Sequence, residues 1–360
     1  MLDLMALLEY ASKRKASDIH ITVGVSPYLR VHGRLENTNF PRLTAADTLA
    51  VFLSLVNPDQ RDRFEEKGEI DISLSLSMNR YRVNAYKQRG SITLAIRLMG
   101  REIPSPEFLD IPPQVLELCD KSKGLIIVSG PSGSGKSALL ASMIDRINNT
   151  RQANIITLED PIEYLHQHKL SMVNQREIGL DTESYATALS AALKEDPDII
   201  QIGALPDAQI ALSTFAAAGA GRLIMTTTQT VGIYDTLEYL QGLFPSYQQE
   251  QARIAMSSSI AAIVSRQLCE SKDGETRIAA YGVMLMNRKI RLAIRKGDFD
   301  AVMEEVKNCS QKGMSTLDDS LYSLYLKGSI TEKTAISQAG EPELMLERIE
   351  NTYLSKPVNA

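Results

Sequence analysis

The chain has no tryptophan, only three cysteines and only four histidines in 360 residues. Cys119, Cys269 and Cys309 are scattered and odd in number, and no C-x-x-C pair occurs. This excludes a disulfide framework and a paired-cysteine zinc site, and it fits a reducing compartment. An excess of basic charge is also missing. Lys and Arg total 39 against 44 Asp and Glu, a net charge of −5, so the global positive field of a nucleic-acid-binding protein is absent. No apolar run reaches the roughly 20 residues of a membrane helix. The first residues carry Asp3 and Glu9 with a helical period, which reads as a first helix rather than a signal peptide. The expected location is therefore cytoplasmic. Internal repeats and low-complexity tracts are absent too.

What is present is a complete phosphate-binding loop, G-x-x-x-x-G-K-S, from Gly130 to Ser137. The apolar run Leu125, Ile126, Ile127, Val128 leads into it, and a helical pattern from Ala138 to Ile144 follows. Gly130, Gly133 and Gly135 let backbone N–H groups turn inward around a phosphate, with Ser132 and Ser134 between them. The helix starting near Ser137 and Ala138 adds the positive end of its dipole. In this motif Lys136 reaches the outer phosphates and the Ser137 hydroxyl ligates Mg²⁺. The expected cofactors are ATP and Mg²⁺.

The class is α/β, with 360 residues suggesting two or three domains. Residues 1–100 read as a small α/β domain. Strands at 18–22 and 28–32 pair across Gly24 to Pro27, a helix at 44–56 is capped by Thr44, and three more strands start near Ile70, Arg80 and Ile92. Residues 101–113, with Pro104, Pro106, Pro112 and Pro113, read as a linker. From 114 to 286 apolar strands at 125–129, 154–158, 198–202 and 223–227 alternate with helical stretches, the pattern of a parallel sheet buried on both faces. Residues 287–360 read as helices.

Five segments line up in order. They are the loop at 130–137, the acidic run Glu159, Asp160, Glu163, the stretch 175–179, the stretch 195–203, and the stretch 219–230. A sixth, Ile290 to Gly297, lies near the end. Together they resemble the secretion ATPase superfamily, and within it the PilT/PilU branch of hexameric motors that retract type IV pili. The resemblance covers about residues 5 to 345. It implies a RecA-like P-loop ATPase core behind a small N-terminal α/β (PAS-like) domain, with a helical C-terminal tail. It also implies pilus retraction and twitching motility as the function, and a homo-oligomer, a hexamer in the family. The implied partners are a paralogous retraction ATPase and an inner-membrane pilus platform protein, with membrane association only through such partners. Glu159, Asp160 and Glu163 match the family's acidic box for Mg²⁺ and attacking water. Acidic residues ending a strand beside a phosphate loop suit metal work in any case, although Asp160 and Pro161 also read as a helix cap and a first-turn proline. Arg80, Arg82 and Arg97 fall where the family's first domain supplies arginines to the nucleotide, and a solvated strand face is the alternative. Lys289 to Lys296 resembles the motif retraction is thought to need, with Arg291 and Arg295 in register, and again a solvated basic helix face is the alternative.

The departures shape the functional expectation. The family's Walker B glutamate position is Ala204, and Pro206 stands where an arginine is usual. Arg222 and Gln229 occupy positions that usually hold histidines. Gln229 keeps hydrogen-bonding capacity, while Arg222 supplies charge but cannot titrate near neutral pH. A lost general base costs about 10²- to 10⁴-fold in rate, while the phosphate loop is intact. The expected protein is an ATP-binding subunit with impaired hydrolysis of its own. A fully active motor using Glu163 or Glu159 as base is the main alternative. An assembly or secretion ATPase ranks below both, because its tetracysteine zinc insertion is missing.

Overall fold

The structure, a computed structural model, describes residues 2–14, 16–31, 33–76, 79–98 and 102–355. His32, at the expected end of the second strand, and Arg101, at the head of the expected linker, lie outside the described residues. The chain divides into two compact units, Met1–Glu102 with Glu163–Leu165, and Ile103–Ile162 with His166–Ala360.

The first unit contains α1 (Leu4–Lys13), β1 (Asp18–Ile21), β2 (Tyr28–Val31), β3 (Arg34–Asn37), α2 (Ala45–Leu55), α3 (Pro58–Lys67), β4 (Glu69–Leu76), β5 (Asn79–Gln88) and β6 (Ser91–Leu98). Its sheet runs β3-β2-β1-β6-β5-β4 with antiparallel neighbours throughout. Strand alternation sends Ile19, Ile21, Leu29, Val31, Val83 and Ile96 into a core shared with Leu7, Phe52 and Phe64 from the three helices. Thr44 caps α2 in a reciprocal capping box with Asp47, as its sequence position suggests. The sequence pattern misses β3, which is almost wholly exposed, and α3, where Phe64 is the buried residue. The caps of α3 were nevertheless legible: Asn57 before it, Pro58 at its first position, and Gly68 at φ 79° after it.

The second unit opens with α4 (Pro113–Leu116) and continues β7 (Gly124–Ser129), α5 (Lys136–Thr150), β8 (Asn154–Glu159), β9 (Met172–Glu177), α6 (Tyr185–Ala192), β10 (Ile199–Ile202), α7 (Ala208–Gly219), β11 (Leu223–Thr228), α8 (Ile233–Gly242), α9 (Gln249–Ser259), β12 (Ile260–Glu270) and β13 (Arg277–Leu285). Five helices follow: α10 (Arg288–Lys296), α11 (Phe299–Asn308), α12 (Leu317–Leu326), α13 (Glu332–Gln338) and α14 (Pro342–Ser355). The sheet order is β13-β12-β7-β11-β10-β8-β9, parallel except for β13.

All six residues of β7 are buried because the sheet is covered on both faces. Leu125 and Ile127 join the core under α6 to α11, while Ile126 and Val128 join the core under α5 and residues 109–119. Full burial of each such side chain contributes about 1.5–3 kcal/mol. The sequence pattern misses the hairpin β12–β13, because α9 passes into β12 at Ser259 and Ile260 with no turn residue between them. It also misses β9, a polar strand with only Val173 and Glu177 buried. Cys269 and Ala280 on the hairpin seat α12 to α14.

Candidate nucleotide site

The C-terminal ends of the parallel strands bring the phosphate loop, Glu159 and Gln229 to one end of the second unit's sheet. The loop leaves β7 at Gly130, and α5 begins at Lys136. Gly133 and Gly135 have φ of 77° and 82°, left-handed values that suit glycine. Gly130 is excluded from change by space as well: an added Cβ would lie 2.2 Å from the Arg266 carbonyl oxygen and 2.6 Å from Ser134 Oγ. Lys136 Nζ donates to the carbonyls of Gly130 and Pro131 at 2.7 and 2.9 Å. The ammonium thus lies folded over the loop's mouth. Ser134 Oγ is buried with no hydrogen-bond partner among the described residues, a polar group placed for something the loop itself does not supply. Ser137 and Ala138 occupy the first turn of α5, half-buried, and Ser132 is exposed at the loop's tip.

The acidic box stands at the end of β8. Glu159 Oε1 accepts from Thr157 Oγ1 at 2.6 Å and from Gln175 Nε2 at 3.0 Å, so its carboxylate is fixed in orientation. The Asp160–Pro161 bond is cis, and no helix starts there: residues 160–170 form a loop. The helix-cap reading of that pair is therefore set aside. Buried Glu177 holds the loop by accepting the Ile162 N–H at 3.0 Å, and Glu163 lies half-buried just beyond.

β10 ends beside this corner. Gly203 donates to the Leu158 carbonyl at 2.8 Å and accepts from Thr227 Oγ1 at 2.5 Å, so the residue before Ala204 is held through both of its flanking peptides. The Tyr185 hydroxyl lies against Gly203, where an added Cβ would approach it to 2.6 Å. Burial, and then the negative charges of Asp160 and Glu159, push the Tyr185 phenol well above its ordinary range. It stays a neutral donor. Ala204 offers a methyl, and Asp207 is engaged as the cap of α7, accepting from the Ile210 N–H at 2.9 Å.

Gln229 and Arg222 part company. Gln229 is exposed just after β11, at the strand-end edge that also carries the loop. Arg222 precedes β11, and its carbonyl accepts the N–H of Gly124, the first residue of β7, at 3.0 Å. At about 3.3 Å per residue the two lie about 20 Å apart. Arg222 therefore stands at the opposite end of β11 from Gln229 and from the phosphate loop.

Arg82 and Arg97 are direct cross-strand partners on β5 and β6. Arg82 Nη2 meets Asp71 Oδ2 at 2.6 Å, and Arg97 Nε meets Asp18 Oδ1 at 2.9 Å. Burial raises the Asp18 carboxyl, but hydrogen bonds from Ser17 and Arg97 and the Arg97 charge outweigh it and hold it below its usual range. These carboxylates relieve a like-charge pair that would otherwise be unfavourable. Arg80 is half-buried on the same face as Arg82. On α10, Arg291 is exposed and Arg295 Nε donates to Ser257 Oγ at 3.0 Å.

Sequence reasoning gave no role to Gln175, Tyr185 or Arg266. Tyr185 leaves no signal, and Gln175 shows only as the first residue of the stretch 175–179. A lone arginine closing the apolar run Ile260 to Val264 was a visible one.

A parallel sheet with a strand–loop–helix phosphate cradle defines a RecA-like nucleotide-binding ATPase fold. Type II/IV secretion system proteins match the chain over residues 2–323, and the chain belongs to that family. It is 35% identical over 343 residues to the type IV pilus retraction ATPase PilT of Pseudomonas aeruginosa, covering 95% of this chain and 99% of that protein. It is 35% identical over 334 residues to the type IV pilus ATPase PilU of the same organism, covering 92% and 87%. The crystal structure of the pilus retraction motor PilT with bound ADP matches it with a TM-score of 0.89 at 40% identity, covering 97% of this chain and 100% of that one. Among the described residues no helix is long and apolar enough to cross a membrane.

Proposed function

We propose that this chain is an ATP-binding subunit of a type IV pilus retraction machine, with its own hydrolysis impaired. One observation carries the reading: a complete phosphate loop stands in the same site as a methyl at Ala204, where general-base chemistry needs a carboxylate. Gly130, Ser132, Gly133, Ser134, Gly135 and Ala138 line the cradle for the phosphates, and Lys136 turns from the Gly130 and Pro131 carbonyls to the outer phosphates. The Ser137 hydroxyl and the Glu159 carboxylate are hard oxygen ligands of the kind Mg²⁺ takes beside phosphate and water. When bound, that metal neutralises charge building on the transferred phosphoryl. An alanine methyl neither accepts a proton from water nor aligns it. The relatives named as retraction ATPases support the setting. We assign the chain to an oligomeric ring, hexameric in form, on the cytoplasmic side of an inner membrane. It reaches that membrane through a pilus platform protein and works with a paralogous retraction ATPase that supplies turnover.

A second reading is a motor active by itself. Glu159, held by Thr157 and Gln175 at 2.6 and 3.0 Å, favours it, because a fixed carboxylate at the strand end is a workable substitute base; Glu163, four residues on in sequence, is the other candidate. Phosphate release from the purified chain with Mg²⁺-ATP, against Lys136→Ala as background, decides. Release at background level in a preparation that binds ATP supports the accessory subunit. Release well above background overturns it in favour of the active motor.

A further inference from the structure

We infer that Arg266 is the positioning residue of the phosphate loop, fixing the loop's closing peptide and adding buried positive charge behind the phosphates. The inference rests on the reading that the loop binds nucleotide.

Ser265 pairs with Ser129 in the parallel β12–β7 ladder, so Arg266 is carried to the level of Gly130. From there it touches both ends of the loop. Its carbonyl oxygen backs Gly130, at 2.2 Å from where a Cβ would stand, and its guanidinium backs Gly135, with Nη1 at 2.0 Å from the corresponding Cβ. Two of the motif's glycines are therefore shaped around this one residue.

Nη1 donates to the Gly135 carbonyl at 2.7 Å, and the same oxygen accepts the Leu139 N–H at 3.0 Å. The peptide is planar and trans, so a carbonyl held outward turns the Lys136 N–H the other way, toward the cradle. Arg266 acts here through the loop and need not touch the ligand.

The charge is the second part. Arg266 is 3% exposed, no carboxylate pairs with it among the described residues, and its Nε is buried without a partner there. Its neutral company is the Tyr281 ring, 5.6 Å from the guanidinium carbon, and Tyr281 is tied by its hydroxyl to the Leu109 carbonyl at 2.8 Å. A buried cation with no counter-ion is costly on its own, and an arriving anion offsets that cost. The phosphate groups are the anion this loop is built to admit.

The test is calorimetric titration of the full chain with Mg²⁺-ADP, beside thermal unfolding of each ligand-free variant. Arg266→Gln keeps hydrogen-bonding capacity and loses the charge, and its Kd is expected to rise tenfold or more. Arg266→Lys keeps the charge and is expected to recover part of that loss. A merely structural brace would lower the unfolding temperature of the ligand-free chain and leave the Kd of the folded protein alone. A folded Arg266→Gln that binds Mg²⁺-ADP within twofold of wild type overturns the inference. Should that variant not fold, Arg266→Lys is read instead: a loss of threefold or more supports the role, and unchanged affinity ends it. A wild-type chain that binds no better than Lys136→Ala removes the nucleotide reading itself, a different failure from wild-type affinity at Arg266→Gln.

Discussion

Gln175 joins the acidic corner to the loop beyond it. Its amide nitrogen donates to Glu159 Oε1 at 3.0 Å, and its amide oxygen accepts the His166 backbone N–H at 2.8 Å. The carboxylate proposed for Mg²⁺ is thus held in place by a side chain from the neighbouring strand. Gln175→Ala should raise the Mg²⁺ concentration needed for half-maximal ATP binding several-fold, with binding of metal-free ADP unchanged. Titrations at fixed nucleotide and varied Mg²⁺ check this, and equal Mg²⁺ dependence in both proteins would remove Glu159 from the metal site.

Ala204→Glu restores a carboxylate directly after Gly203, whose N–H and carbonyl are held by Leu158 and Thr227. The expected gain in phosphate release is on the order of 10²-fold or more, the usual worth of a general base. Steady-state release with the ring state checked by light scattering is the measurement. A flat response would mean that the corner cannot place a base there.

Gly135→Ala meets two penalties at once, a φ of 82° and the Arg266 Nη1 at 2.0 Å from the new Cβ. Loss of Mg²⁺-ADP binding and a lowered unfolding temperature are expected together. Gly133→Ala has a similar φ but nothing within 4 Å of its Cβ, so it should bind more tightly than Gly135→Ala. Calorimetry on both variants makes the comparison.

Arg82→Ala removes an exposed ion pair and Arg97→Ala one in which only the arginine is exposed, each expected to cost about 0–1 kcal/mol. Denaturant unfolding should show changes within that range. A fall in nucleotide turnover or affinity well beyond it, in an assembled ring, marks a role at a nucleotide. Unchanged nucleotide affinity leaves them as members of a solvated sheet face.

His166 should make the second unit acid-sensitive. Burial, opposed by Asp145 and reinforced by Lys169, lowers its imidazole from about 6.5 to about 4. The unfolded chain therefore binds the extra proton first. The stabilising effect of a neutral His166 is complete above about pH 6.5 and is lost progressively as pH falls toward 4. The unfolding temperature followed over that window should drop less steeply in His166→Asn.

The strands most fully legible in the sequence were those whose burial is two-sided, β7 and β10, because short apolar runs, broken in β10 only by Gln201, suit strands covered on both faces. The phosphate loop was legible for a related reason: Gly130, Gly135, Lys136 and Ser137 meet demands of backbone conformation and chemistry within eight residues. The cap at Thr44 is likewise local. Tertiary structure alone decided that Gln175 orients Glu159 from sixteen residues away and that Arg266 braces Gly135 across 131 residues. These relationships depend on strand order and register, which the long-range pairing of β8 with β9 and of β7 with β12 sets and no nearby residue encodes.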